Sequence, residues 1–84
     1  MKEYYILGLR VNHRHTNAIK LQELLTKHGC NIKLRVGLHE ATDTSCSDDG
    51  LIILQVRGDV ETTNTMIADF DSLEGVTARM LDLN

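Results

Sequence analysis

The sequence predicts an α+β domain in the order β-α-β-β-α-β, a four-stranded antiparallel sheet with two helices on one face. Three observations predict it. The central stretch from Ile32 to Asp59 holds two strand-like runs, Ile32 to Leu38 and Leu51 to Arg57, joined by a polar, acidic loop ending in Asp48-Asp49-Gly50. A helical periodicity lies on each side of this hairpin. Both ends of the chain are rich in β-forming residues.

Glu3 to Val11 (EYYILGLRV) reads as the first strand, with Tyr5, Leu7, Leu9 and Val11 on one face and Tyr4, Ile6, Gly8 and Arg10 on the other. Asn12-His13-Arg14-His15-Thr16 breaks the alternation, and Thr16 or Asn17 supplies a helix N-cap. Ala18, Leu21, Leu24, Leu25 and His28 then recur at helical spacing, and Gly29 stands where a left-handed C-cap belongs. In the hairpin, Ile32, Leu34, Val36 and Leu38 alternate, which predicts a half-buried strand with those four side chains facing the helices. Leu51 to Val56 is almost continuously apolar and reads as a central strand. Asp59 caps a second helix on which Val60, Thr63, Ile67 and Phe70 form one stripe, widened by Met66 and Leu73. Glu74-Gly75 ends it, and Val76 to Leu83 forms the last strand. Right-handed crossovers put both helices on the same face, with the first and third strands central. This is the ferredoxin-like arrangement, and residues 1–84 form a single domain with no linker.

Nine basic and twelve acidic residues give a net charge of −3. An autonomous nucleic-acid binder needs a basic excess to neutralise phosphates, so direct DNA or RNA binding is disfavoured. No apolar run approaches membrane-spanning length and no signal-like start is visible, so a cytoplasmic setting with both cysteines, Cys30 and Cys46, as free thiols is expected.

The face of the sheet away from the helices carries the main functional signal. Alternation assigns to it Tyr4, Ile6, Gly8 and Arg10, then Lys33, Arg35 and Gly37, then Leu51, Ile53, Gln55 and Arg57, and finally Thr77, Arg79 and Leu81. Each strand thus contributes an arginine among apolar neighbours, a mixture suited to a protein interface. The expected interface set is Tyr4, Ile6, Arg10, Arg35, Leu51, Ile53, Arg57 and Arg79, and the expected partner is a second copy of the chain, in a homodimer or homotetramer. An RNA platform would need stacking aromatics on both central strands, and the third strand has none.

Other chemistry is thinly represented. His13-x-His15 and His28-x-Cys30 are imidazole and thiolate pairs of the kind nickel and zinc use, which leaves a metal sensor as the alternative reading. Neither pair completes a site, so loop histidines in solvent and a small buried cysteine are the plainer account and no metal or cofactor is expected. Asp43, Asp48 and Asp49 lack the alternating oxygens and closing glutamate of a calcium loop. No nucleophile elbow or phosphate-cradling glycine loop is present, and Cys46 with His39 has no fixed geometry, so no enzyme is expected.

Several segments, in order and across nearly the whole chain, carry a resemblance: Lys2-Glu3-Tyr4-Tyr5-Ile6-Leu7, Leu21-Gln22-Glu23-Leu24-Leu25, Leu34-Arg35-Val36-Gly37, Leu51 to Val56, and Leu73-Glu74-Gly75-Val76. Through them the chain resembles the small ACT-like iron-only hydrogenase system regulators, which are similar in fold to the C-terminal domain of nickel-responsive repressors. The resemblance implies a regulatory, ligand-binding domain that assembles as dimers or tetramers. The repressors' nickel ligands align with Arg35, Gly37 and Gly50, so that site is not retained, and their DNA-binding segment is absent. ACT domains bind amino acids near the loop after strand one. By that resemblance the ligand residues are Asn12, His13, His15 and Asn31, in a loop that has no glycine of its own.

Overall fold

The computed structural model describes residues 2–12, 14–41 and 46–84, and the side chains of 38–41 and 46–49 lie outside the description. The elements are β1 (Lys2–Asn12), α1 (Ala18–Lys27), a short 3-10 turn (Gly29–Asn31), β2 (Ile32–Ala41), β3 (Cys46–Gly58), α2 (Val60–Asp71) and β4 (Val76–Asp82). All neighbouring strands are antiparallel in the spatial order β2-β3-β1-β4, the ferredoxin-like arrangement with β1 and β3 central. Among the described residues no helix is long and apolar enough to cross a membrane.

Local chemistry sets the element ends. Asn17 Oδ1 accepts hydrogen bonds from the Ile19 and Lys20 amides, at 3.0 and 3.1 Å, satisfying two otherwise orphaned donors of α1. Asp59 caps α2 through the Thr62 amide at 2.7 Å, and that bond holds its carboxyl below the ordinary range. Gly75 turns the chain into β4 at φ +79°, the left-handed region that a Cβ disfavours. Gly29 differs from expectation. Its φ is not positive; the chain leaves α1 at His28 and tightens into the 3-10 turn, so no left-handed cap forms there.

The core lies between the sheet and the helices. Tyr5, Leu7, Leu9 and Val11 of β1, Leu54 and Val56 of β3, and Val76 and Ala78 of β4 pack against Leu21, Leu25, Met66 and Phe70. The alternation predicted for β1, β3 and β4 is therefore the one found. The hairpin is longer than expected: β2 runs to Ala41 and β3 starts at Cys46, taking Asp48 and Asp49 into strand backbone.

β2 breaks the predicted parity. Ile32 pairs with buried Val56, but Leu34 pairs with Gln55, so Lys33 is an extra residue in a bulge. Arg35 then faces Leu54 and Val36 faces Ile53. One added residue reverses every side chain beyond it. The expected placement of Arg35 on the open face is thus corrected: it lies on the helix side, while Leu34 and Val36 join the open face at 55% and 41% exposure.

Candidate functional site

Two regions combine the chemistry a site needs. The first is the uncovered sheet face. On it Tyr4, Leu34 and Leu81 are each more than half exposed, Val36 and Leu51 are exposed to about two-fifths, and Ile6 and Ile53 are half-buried among them. Gly8, paired with Ile53 and Arg79, has no atom within 4 Å of where a Cβ would stand. It forms the floor of a shallow depression of ≈ 310 Å³ walled by Ile6, Leu51, Ile53 and Leu81.

The arginines sit at its margins. Arg10 and Arg57 are exposed at opposite ends of the central strands. Arg79 bends around the outer edge, where its Nη1 donates to the Ala78 carbonyl at 2.7 Å and lies 3.5 Å from Asp71 Oδ1. Asp71 Oδ1 also accepts the Ala78 amide at 3.0 Å. Of the eight expected interface residues, Tyr4, Ile6, Arg10, Leu51, Ile53 and Arg57 share the face, Arg79 straddles its edge, and Arg35 does not belong to it.

The second region is an open cleft of ≈ 510 Å³ at the far end of β1, lined by Arg10, Asn12, His15, Glu74, Gly75, Val76 and Thr77. Its back wall is built by Asn12. The Asn12 amide donates to the Gly75 carbonyl at 2.7 Å, its carbonyl accepts from the His15 and Thr16 amides, and its Oδ1 accepts from the Arg14 amide at 3.1 Å. The loop has no glycine of its own, and Gly75 of the α2–β4 turn supplies the close approach. A Cβ there would stand 2.5 Å from Thr16 Oγ1 and 3.1 Å from the Asn12 carbonyl oxygen. The cleft presents a guanidinium, an imidazole, a carboxylate and a hydroxyl, enough to orient a small polar molecule.

Asn12 and His15, both expected ligand residues, meet in this cleft. His13 lies outside the described residues. Asn31 sits near the opposite end of the sheet, roughly 26 Å from Asn12 at strand rise, where its Nδ2 donates to the Arg57 carbonyl at 2.9 Å. Glu74, Gly75 and Thr77 were not among the expected site residues. The predicted adjacency of β1 and β4 contains the signal, since it places residues 75–77 beside residues 10–12.

The histidine and cysteine pairs do not converge. His15 precedes α1 and His28 follows it, about 15 Å apart along a ten-residue helix. His28 is buried, its Nε2 is 2.8 Å from Asp69 Oδ2, and its ring packs 5.9 Å from that of Phe70. Cys30 is exposed. Among the described residues no three of His, Cys, Asp and Glu gather as a metal site. Lys27 Nζ, at 3.0 Å, and then His28 hold the Asp69 carboxyl below its ordinary range, making a polar clasp between the helices.

No family model and no curated protein matches the chain. Solved structures do. An uncharacterized protein, TM1266, from Thermotoga maritima is similar over all of both chains, at 25% identity and a TM-score of 0.83. LarC2, the C-terminal domain of a cyclometallase involved in synthesis of the NPN cofactor of lactate racemase, is similar at 8% identity and a TM-score of 0.50, covering 95% of this chain and 56% of that one. CPII from Thiomonas intermedia K12, bound to ADP, AMP and acetate, aligns over 100% of this chain and 93% of that one at 17% identity and a TM-score of 0.48. The first two show a small ferredoxin-like domain as the fold of this chain.

Proposed function

We propose that the protein is a non-enzymatic regulatory domain of the ACT-like type, similar to the iron-only hydrogenase system regulators, which pairs with a second copy of itself through the open sheet face. The observation that carries this reading is the composition of that face, once the β2 bulge has added Leu34 and Val36 to Tyr4, Ile6, Leu51, Ile53 and Leu81. Four strands about 4.8 Å apart and about 35 Å long give roughly 700 Å² of projected area per copy. That approaches the ~800 Å² per partner of a stable complex. A second copy fits because the face is apolar at its centre, where Gly8 leaves a depression for a facing side chain, with charged groups at its margins.

The cleft is the ligand site in this reading. Arg10 and Thr77 pair across β1 and β4 and belong both to the cleft wall and to the open face. A molecule held there therefore touches the margin of the assembled face, and a difference in its affinity for free and paired chains shifts the equilibrium between them. Ile53→Asp tests the reading by setting an unpaired charge in the middle of the contact. Light scattering should report a dimer or tetramer for the parent chain and a folded monomer for the variant. A parent that stays monomeric at high concentration, or a variant of unchanged mass, would rule it out.

A further inference from the structure

Cross-strand pairing sets the open face in rows that run across the strands. One row is Leu34, Gln55, Ile6 and Leu81, a residue from each strand. The next towards the cleft is Val36, Ile53, Gly8 and Arg79. Beyond it stand Leu51, Arg10 and Thr77. On the other side of the first row is Tyr4, beside Leu83, whose amide donates to the Tyr4 carbonyl at 2.9 Å. Successive rows are two residues apart, roughly 7 Å.

Two copies packed face to face are related by a dyad, so a residue on the axis meets itself and residues on either side exchange partners. The rows restrict where that axis can lie. Along the row of Gly8 it would bring the two Arg79 margins together and set glycine on glycine, leaving a gap without contacts. Along the row beyond, or lengthwise over β1, it would set Arg10 on Arg10, and like charges brought together oppose association. Along the row of Tyr4 it would leave the Arg10 end of the face uncovered. The row of Leu34, Gln55, Ile6 and Leu81 carries no charge and lies near the middle of β1. An axis there lays the row of Tyr4 over the partner's row of Gly8.

The side chains match in size and chemistry. Of the two tyrosines and one phenylalanine in the chain, Tyr5 and Phe70 are buried and Tyr4 is 60% exposed. Gly8 is the floor of the depression, with apolar walls and Arg79 at the rim. A ring with a hydroxyl at its tip suits such a hollow: the ring covers the walls and the phenol oxygen accepts from the guanidinium. Leu34, Leu51 and Leu81 have no polar atom to offer that rim.

We propose that two copies interlock across the open face, Tyr4 of each filling the Gly8 depression of the other, about a dyad along the row of Leu34, Gln55, Ile6 and Leu81. This rests on the self-association proposed above and adds its geometry. The symmetry makes the contact twice, once on each side of the axis.

The experiment exchanges knob and hole. Dissociation constants are measured by sedimentation for the parent chain, Tyr4→Gly, Gly8→Tyr and the double variant, with circular dichroism to check folding. Each single variant should weaken association roughly tenfold, about 1.4 kcal/mol, one by an empty hollow and the other by a collision of rings. The double variant should return to within about threefold of the parent, since the dyad brings position 4 of one copy over position 8 of the other. Single variants that change nothing, or a double variant as weak as the two losses multiplied, overturn the interlock and leave self-association standing. A parent that stays monomeric overturns both. Crosslinking locates the axis without touching Tyr4 or Gly8. In a chain whose Cys30 and Cys46 are replaced by serine, Ile6→Cys should be joined to its copy by a short bis-maleimide. Ile53→Cys, one row off the axis and so roughly 13 Å from its copy along the strand direction, should not. The reverse pattern in a dimer of unchanged mass counts against this axis.

Discussion

Gly75 and Asp69 show how much of this molecule rests on single side chains, or on the lack of one. At φ +79°, with Thr16 Oγ1 2.5 Å from an ideal Cβ, Gly75 lets the α2–β4 turn lie against the Asn12 loop. Gly75→Ala combines left-handed strain with a clash against the Thr16 hydroxyl and tight contact with the Asn12 and Thr16 backbone, and should destabilise the fold by about 1–3 kcal/mol in a urea titration. The same change should deform the cleft. Asp69 acts by charge. Its carboxyl accepts from Lys27 Nζ and His28 Nε2, which lower its pKa in the folded state below the unfolded value of about 3.9. A lowered folded pKa stabilises the native state above the unfolded value, and that contribution is lost as pH falls through the folded one. Asp69→Asn should therefore cost about 1 kcal/mol near neutrality and flatten part of the fall in melting temperature seen on acidification below about pH 4. The contributions of Asp59 and Asp82, also held low by hydrogen bonds, remain.

At the level of elements, the helix starts follow directly from their caps. Asn17→Ala removes the acceptor for two amides at the head of α1 and should lower stability by about 1 kcal/mol, read as a lower thermal midpoint. Asn17 and Asp59 were legible in the sequence because a cap needs only its own side chain and the next three residues. The faces of β1, β3 and β4 were legible because their alternation runs unbroken into the core. β2 was not, for a physical reason: its period of two is intact at 32, 34 and 36, and nothing within the strand marks Lys33 as the residue left out of the ladder. The bulge exists only relative to β3. The cleft was half legible on the same grounds. Asn12 and His15 share one loop, whereas Glu74 to Thr77 reach it through the pairing of the first and last strands.

For the whole molecule, the reversal of β2 changes which residues should govern association. Leu34→Asp is expected to dissociate the assembled protein, since Leu34 stands on the open face opposite Gln55. Arg35→Ala should leave the mass unchanged by sedimentation, since Arg35 faces the helix side. The opposite pair of results would mean that β2 follows its plain alternation in the assembled state. The outer margin of β4 bears on growth in the other direction, within the plane of the sheet. Asp71 and Arg79 take up the outward amide and carbonyl of Ala78 from inside the same chain. A fibril lengthens only if each new subunit offers a free margin at both ends, one to dock and one to receive. With these two groups taken up by its own carboxylate and guanidinium, the margin of β4 is blunted at Ala78 against edge-to-edge stacking of strands.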